Sequence, residues 1–237
     1  MPWYWYWYRT MILTLAVVLG LGLCLVRHGP GVLSRITGLP LHAAWLAPVA
    51  LALQVPLLRA PFCPVAEVTL PQGLFLLSQL FLLAFVWRNR RLAGIRLVGV
   101  GVLCNLLVIL ANGGFMPISP ETLVRINPGA SLEQCTIGYH YGFSKDVILV
   151  QESTRLWLLS DALVLPAPFP WPTAFSLGDL ILGAGIVWLL QGARPGPAPS
   201  GAALEHVSSA VSGVHGSARR GSQNQDAKER IERRFVR

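Results

Sequence analysis

Charge is scarce in this sequence. Only 13% of its 237 residues are Asp, Glu, Lys or Arg, against roughly 25% in soluble domains. With 53% hydrophobic residues, gathered in blocks, that shortage excludes an ordinary soluble core. Acid is scarcer than base: 11 Asp and Glu against 19 Lys and Arg leave a formal charge of +8. Such an excess can mark a nucleic-acid surface. Here the positives flank apolar segments and fill a polar C-terminal stretch, so nucleic acid is not an expected partner. The four cysteines are too few for a disulfide scaffold, and none form a C-x-x-C pair, which argues against zinc. Neither H-E-x-x-H nor G-x-S-x-G occurs. His28 and His42 flank one side of the membrane pattern and His140 the other, so paired haem ligation is not expected. The sequence therefore predicts no metal, no cofactor and no catalytic set, and an enzyme is not the expected class.

What is present is five long apolar runs, at about 10–26, 43–58, 70–87, 95–112 and 175–191. Each approaches the roughly 20 residues that cross a bilayer as a helix, most from the short side. The expected fold class is all-α: a polytopic membrane protein of five transmembrane helices over 10–192. An aromatic interfacial N-terminus (1–9) precedes it, with Trp3 to Tyr8 suited to the headgroup layer, and a disordered basic tail (193–237), rich in Gly, Pro, Ala and Ser, follows. Arg27, His28 and Arg35 after the first run read as a retained anchor and not a cleaved leader. Thr69 is placed to cap the third span, with Pro71 in its first turn. Residues 113–174 form an outer loop. Within it Ser119-Pro120-Glu121 predicts a short helix to Ile126, and 147–163 reads as an interfacial helix broken by Gln151, Glu152, Arg155 and Asp161. Leu165 to Pro172 is a proline-stiffened connector.

Arginine placement sets the orientation. With the N-terminus outside, Arg27, Arg35, Arg88, Arg90, Arg91, Arg96 and Arg194 lie on inner flanks, against Arg9 and Arg59 on short outer ones. Cytoplasmic flanks carry the positive excess, so the C-terminus is expected inside. The lipid bilayer is the first expected partner, and another membrane or envelope protein the second. Arg219-Arg220 and the basics from Arg230 to Arg237 offer an anionic-lipid contact, diluted by Asp226, Glu229 and Glu232, so a merely solvated tail is the alternative.

Several residues invite a local reading. Cys63 and Cys135 both fall on outer loops, where a disulfide is chemically allowed; two free thiols are the alternative. Ser176 and Asp179 have capping-box spacing at the head of the last span, and Asp179 is otherwise an intramembrane carboxylate. Asn112, Gly113 and Gly114 close the fourth span. They read as a helix stop, or as an outer-face niche shared with Asp161 and Asp179. Asn105, mid-span, calls for a hydrogen bond across to another helix, with Gln79, Gln54 or Ser78 as partners. Gly20-x-Gly22 and Gly99-x-Gly101 lack the strand–turn–helix context of nucleotide loops. With Ala16-xxx-Gly20 they read as sites of close helix approach.

Arg88-Asn89-Arg90-Arg91, the run from Asn105 through Ala111-Asn112-Gly113-Gly114-Phe115-Met116-Pro117 to Ser119, and Phe175-Ser176-Leu177-Gly178-Asp179 together resemble a bacterial membrane family known as the domain of unknown function 5317. The resemblance covers about residues 10–192. The family pattern has Gly-Asp before the proline connector, where this chain has Ser160-Asp161. What the resemblance implies is a bacterial inner-membrane, multi-pass address; it implies no activity. The expected role is a non-enzymatic accessory or scaffold component of the envelope, with a carrier or channel for a small or lipid-like solute as the alternative.

Overall fold

A computed structural model describes residues 11–29, 32–127, 129, 131–166, 169 and 172–192. The aromatic N-terminus and the basic tail lie outside the described residues, with Arg194 and most of the proline connector. The described chain is mostly helical, with α1 (Met11–His28), α2 (Val32–Thr37), α3 (Leu46–Leu58), α4 (Thr69–Arg88), α5 (Ile95–Ala111), α6 (Pro120–Ile126) and α7 (Leu177–Gln191). Two small sheets correct the all-α expectation. One runs β1-β3-β4-β2, from β1 (Cys63–Pro64), β2 (Met116–Ile118), β3 (Tyr139–His140) and β4 (Asp146–Ile148); the other pairs β5 (Leu163–Leu165) with β6 (Thr173–Phe175).

The five long helices pack in a row, α3 on α4, α4 on α5, α5 on α7 and α7 on α1. Missing side chains set the closest approach. A Cβ on Gly94 would lie 2.5 Å from the Gly185 carbonyl, and one on Gly101 2.6 Å from the Gly178 carbonyl. The two pairs are seven residues apart on each helix and run in opposite directions, so α5 and α7 are antiparallel and almost touch along two turns. Ala16 lies under Gly183 and Gly20 under Val187, which brings α1 alongside α7 in the same direction. Gly101, Ala16 and Gly20 thus do what their spacing predicted. Gly99 does so as well, against Val86 of α4, whereas Gly22 meets nothing within 4 Å.

Only one helical stretch among the described residues, Val65–Arg88, is long and apolar enough to cross a membrane on that ground alone. The expected spans at 43–58, 95–112 and 175–191 shorten to 13, 17 and 15 residues. At about 1.5 Å per residue they reach about 20–26 Å, short of a roughly 30 Å hydrocarbon core. Local backbone explains the trimming. Ala43 takes a left-handed φ of 50° before α3, and Phe175 pairs as a strand before α7. Thr69 does not cap α4: a 3-10 turn over Val65–Val68 runs into the helix, whose N-cap is Val68.

Segment 113–174 folds as a cap on the bundle. Its β2 and β4 pair in parallel, and β4 pairs antiparallel with β3, which in turn holds β1 from the α3–α4 connection. Cys63, Val68, Phe75, Val108, Ile109, Phe115, Met116 and Val147 form one buried cluster joining cap to helices. Helix α6 starts as its sequence dictates, the Ser119 hydroxyl accepting from the Thr122 N–H with Pro120 in the first turn. The interfacial helix expected at 147–163 is absent. Its apolar residues supply β4 and two 3-10 turns, Gln151–Ser153 and Trp157–Leu159, with Leu156 left-handed between them at φ 55°.

Candidate functional site

Two asparagines at helix C-termini show how this chain anchors its loops. Asn112 caps α5; its Nδ2 donates to the Val108 carbonyl (2.8 Å) and the Arg155 carbonyl (2.8 Å), and its Oδ1 accepts from the Arg155 N–H (2.9 Å). Asn89 does the same at the opposite end of the bundle. It donates to Phe85 and His42 carbonyls (2.8 and 2.9 Å) and accepts from the His42 N–H (2.8 Å). Each side chain replaces a stretch of backbone pairing and fixes a distant segment to a helix end. Gly113 and Gly114 follow with φ of 77° and 90°, and the Gly114 N–H returns to the Ile109 carbonyl at 2.8 Å. Gln72 of α4 donates to the Gly113 carbonyl and occupies the space that a Gly114 side chain needs.

The charged residues gather elsewhere. The capping box at α7 is complete: the Asp179 N–H donates to Ser176 Oγ (2.9 Å) and the Ser176 N–H to Asp179 Oδ2 (3.2 Å). Asp179 Oδ1 accepts from Asn105 Nδ2 at 2.7 Å, and Ser176 Oγ donates to Asn105 Oδ1 at 2.8 Å. Both Asn105 contacts are therefore met by α7, facing it across the glycine seam. Among the described residues the side chain of Gln79 bonds only to its neighbour Ser78, at 3.3 Å, and not to Asn105. Lys145, at the foot of β4, places its Nζ 2.9 Å from Asp161 Oδ2 and 4.0 Å from Asp179 Oδ2. The Asp161 N–H donates to the Pro117 carbonyl at 3.1 Å, and the Lys145 carbonyl accepts from the Met116 N–H at 3.0 Å, so β2 carries both partners of the bridge.

Asp146, Asp161 and Asp179 are each less than 9% exposed; Asp161 and Asp179 flank the ammonium in a poorly hydrated place, and Asp146 adds negative charge nearby. Burial pulls the Lys145 ammonium down, but Asp161, Asp179 and Asp146 outweigh it and hold the lysine charged well above its ordinary range. Burial pushes the Asp161 carboxyl up; Lys145 opposes this, Asp146 and Asp179 reinforce it, and the group sits at about 7. Asp161 Oδ1 is buried and has no hydrogen-bond partner among the described residues. Burial and the neighbouring acids thus make Asp161 the carboxyl of the cluster easiest to protonate.

Of the residues singled out in the sequence, Asp161, Asp179 and Asn105 come together, whereas Asn112, Gly113 and Gly114 engage Arg155 and Gln72. The sequence reading missed Lys145, the centre of the cluster. Its one available signal was position: a lone lysine in a loop with few charges. Cys63 and Cys135 are free thiols. Cys63 packs in the core beneath the cap, while Cys135 lies against the Ile118–Leu123–Ile148 cluster. Burial raises both thiols, with Glu67 adding to Cys63 and Glu121 to Cys135, so neither is poised as a nucleophile. His140 is fully buried, with Nδ1 3.0 Å from the Pro61 carbonyl and Nε2 2.8 Å from the Ser144 carbonyl. Both ring nitrogens are engaged by backbone, so it activates no serine. Among the described residues no three His, Cys, Asp or Glu side chains are grouped to hold a metal.

No curated protein and no solved structure matches the chain. The resemblance read from the Asn112–Pro117 and Ser176–Asp179 segments does have a counterpart. The model of the family of unknown function DUF5317 matches residues 38–191, well over half of the chain, and the chain belongs to that family.

Proposed function

We propose that this chain is a bacterial inner-membrane protein without catalytic activity, an accessory element that presents a folded cap at the outer face to another envelope component. All five long helices contribute to the bilayer domain, with the N-terminus outside and the C-terminus in the cytoplasm. Apolar exposure supports the embedding: Val26 is 85% exposed, Leu51 61%, Leu107 54% and Trp188 59%, on four different helices. Water would penalise such surfaces and lipid does not. Local bilayer thinning and snorkelling of Arg88, Arg90 and Arg96 accommodate the short helices.

The observation that carries the accessory reading is the fixation of the cap. Lys145 ties it to Asp179 of α7, Asn112 ties it to α5, and His140 ties it to the α3–α4 connection. A loop held at three points is a preorganised surface, and Leu132 and Ile137 stand exposed on it at 55% and 46%. A photo-crosslinking residue at Ile137, in living cells, is expected to capture one defined envelope protein, while the same residue at lipid-facing Leu51 captures none. Equal or absent protein capture at the two positions counts against the proposal.

A carrier is the second reading, and the buried Lys145–Asp161–Asp179 group, with Asp161 Oδ1 unpartnered among the described residues, favours it. Buried ionisable groups in membrane proteins commonly serve proton or ion paths. Vesicles reconstituted with the protein and loaded with a pH-sensitive dye test it: proton flux no faster than in empty vesicles removes this reading.

A further inference from the structure

A lateral groove of about 700 Å³ runs between α1 and α7. Leu15, Leu19, Leu180 and Val187 line its walls, and Gly183 keeps it deep. From Leu180 to Gly192 it follows about 18 Å of helix, close to the roughly 15 Å of hydrocarbon in one leaflet. Its two ends differ. Asp179 closes the outer end, where Asn105 and Lys145 already satisfy it. Arg27 and Gln191 close the inner end. Arg27 is exposed and has no acidic partner among the described residues. Gln191 donates through Nε2 to the Gly20 carbonyl at 2.9 Å, which fixes the amide and leaves Oε1 buried with no hydrogen-bond partner there.

An apolar trough with a cation at one mouth makes up the chemistry of an anionic-lipid site. We infer that the α1–α7 groove holds one anionic glycerophospholipid from the inner leaflet. Its acyl chains lie along the leucines, and its phosphate meets Arg27. Charge selects the occupant. A zwitterionic lipid fills the trough equally well but presents its own cation to Arg27. The inference rests on the membrane placement proposed above.

Native mass spectrometry of the full chain, delipidated in detergent and titrated with phosphatidylglycerol or phosphatidylcholine, tests it. One phosphatidylglycerol should bind roughly tenfold more tightly than phosphatidylcholine, because the choline cation offsets the phosphate charge that Arg27 meets. Arg27→Gln should abolish that preference. Ala184→Trp, at an exposed groove position, should expel both lipids without lowering the unfolding temperature. Equal binding of the two lipids, or an unchanged preference in R27Q, overturns the site as mere annular lipid. So does binding of glycerol phosphate as tight as that of the lipid. Capture of the chain's own C-terminal residues or of a second copy by a photo-crosslinker at Ala184 overturns it by naming another occupant. Alkaline extraction keeps the two readings apart: release of the protein from membranes refutes the placement, whereas retention with no lipid preference refutes only the site.

Discussion

Replacing Lys145 with Met removes the one ammonium from a cluster of three buried carboxylates while keeping the side-chain length. Asp161 loses its 2.9 Å partner and Asp179 its 4.0 Å one. Removing one member of a buried pair costs about 3–5 kcal/mol. The lysine side chain is 27% exposed, and Asp161 relieves its isolation by taking a proton, so about 2–3 kcal/mol is expected at pH 8. In a chain of this size that is a fall of about 4–12 °C in the unfolding midpoint. The carboxyl of Asp161 is raised by folding from 3.8 to about 7. Its stabilising contribution is therefore fully present below about pH 4 and is lost as pH rises through 7. Wild-type protein should lose stability between pH 5 and pH 8, and K145M should lose more over the same interval, because without Lys145 the Asp161 carboxyl is raised further. The double variant K145M/D161N should recover most of the midpoint at pH 8. Thermal unfolding in detergent, read by intrinsic fluorescence at both pH values, is the assay. A K145M midpoint within 2 °C of wild type at pH 8, or an equal loss at pH 5, refutes the assignment of this cluster as the electrostatic tie between cap and bundle.

Asn105→Ala should cost about 1–2 kcal/mol, because it strips Ser176 and Asp179 of their partner on α5; a melt of the purified variant measures it. Gly101→Ala should destabilise more than that, since the added carbon meets the Gly178 carbonyl at 2.6 Å, whereas Gly22→Ala meets nothing and should leave the melt unchanged or slightly raised. Asn112→Ala should free the segment around Arg155, so limited proteolysis is expected to cut there first while the helices survive. A thiol reagent on the native protein should modify Cys135, which is partly accessible, well before Cys63, which is 7% exposed; equal rates contradict the core position of Cys63.

Local signals survived the passage from sequence to structure. Ser119-Pro120 and Ser176-x-x-Asp179 start helices where they should, because a cap is decided by atoms within one turn. Ala16, Gly20, Gly99 and Gly101 also kept their meaning, because a missing side chain admits whichever helix packs there, whereas Gly22 faces open space. The spans at 10–26, 70–87 and 95–112 kept their bounds to within two residues, whereas those at 43–58 and 175–191 lost their starts to neighbours: Phe175 to β5, and the residues before Leu46 to a turn. The segment 147–163 was misjudged on apolar content alone. Strands of two or three residues carry no periodicity, and the parallel pairing of β2 with β4 joins residues some thirty positions apart. Lys145 was invisible for a related reason: its partners lie 16 and 34 residues further along, and only the folded cap brings them to it. Asn89 stood in the quoted Arg88–Arg91 run, yet its role belongs to a tertiary clamp on His42.

The central claim is that lipid surrounds these helices, with the cap on one side and the α4–α5 turn on the other. Glu152 lies exposed in the cap and Arg91 lies exposed in that turn. Single variants Glu152→Cys and Arg91→Cys, each in a background with the four native cysteines replaced by serine, can be treated in intact spheroplasts with a membrane-impermeant maleimide. The account predicts rapid labelling of the first and none of the second until the membrane is permeabilised; equal labelling of both in intact cells, or labelling of the second alone, contradicts it.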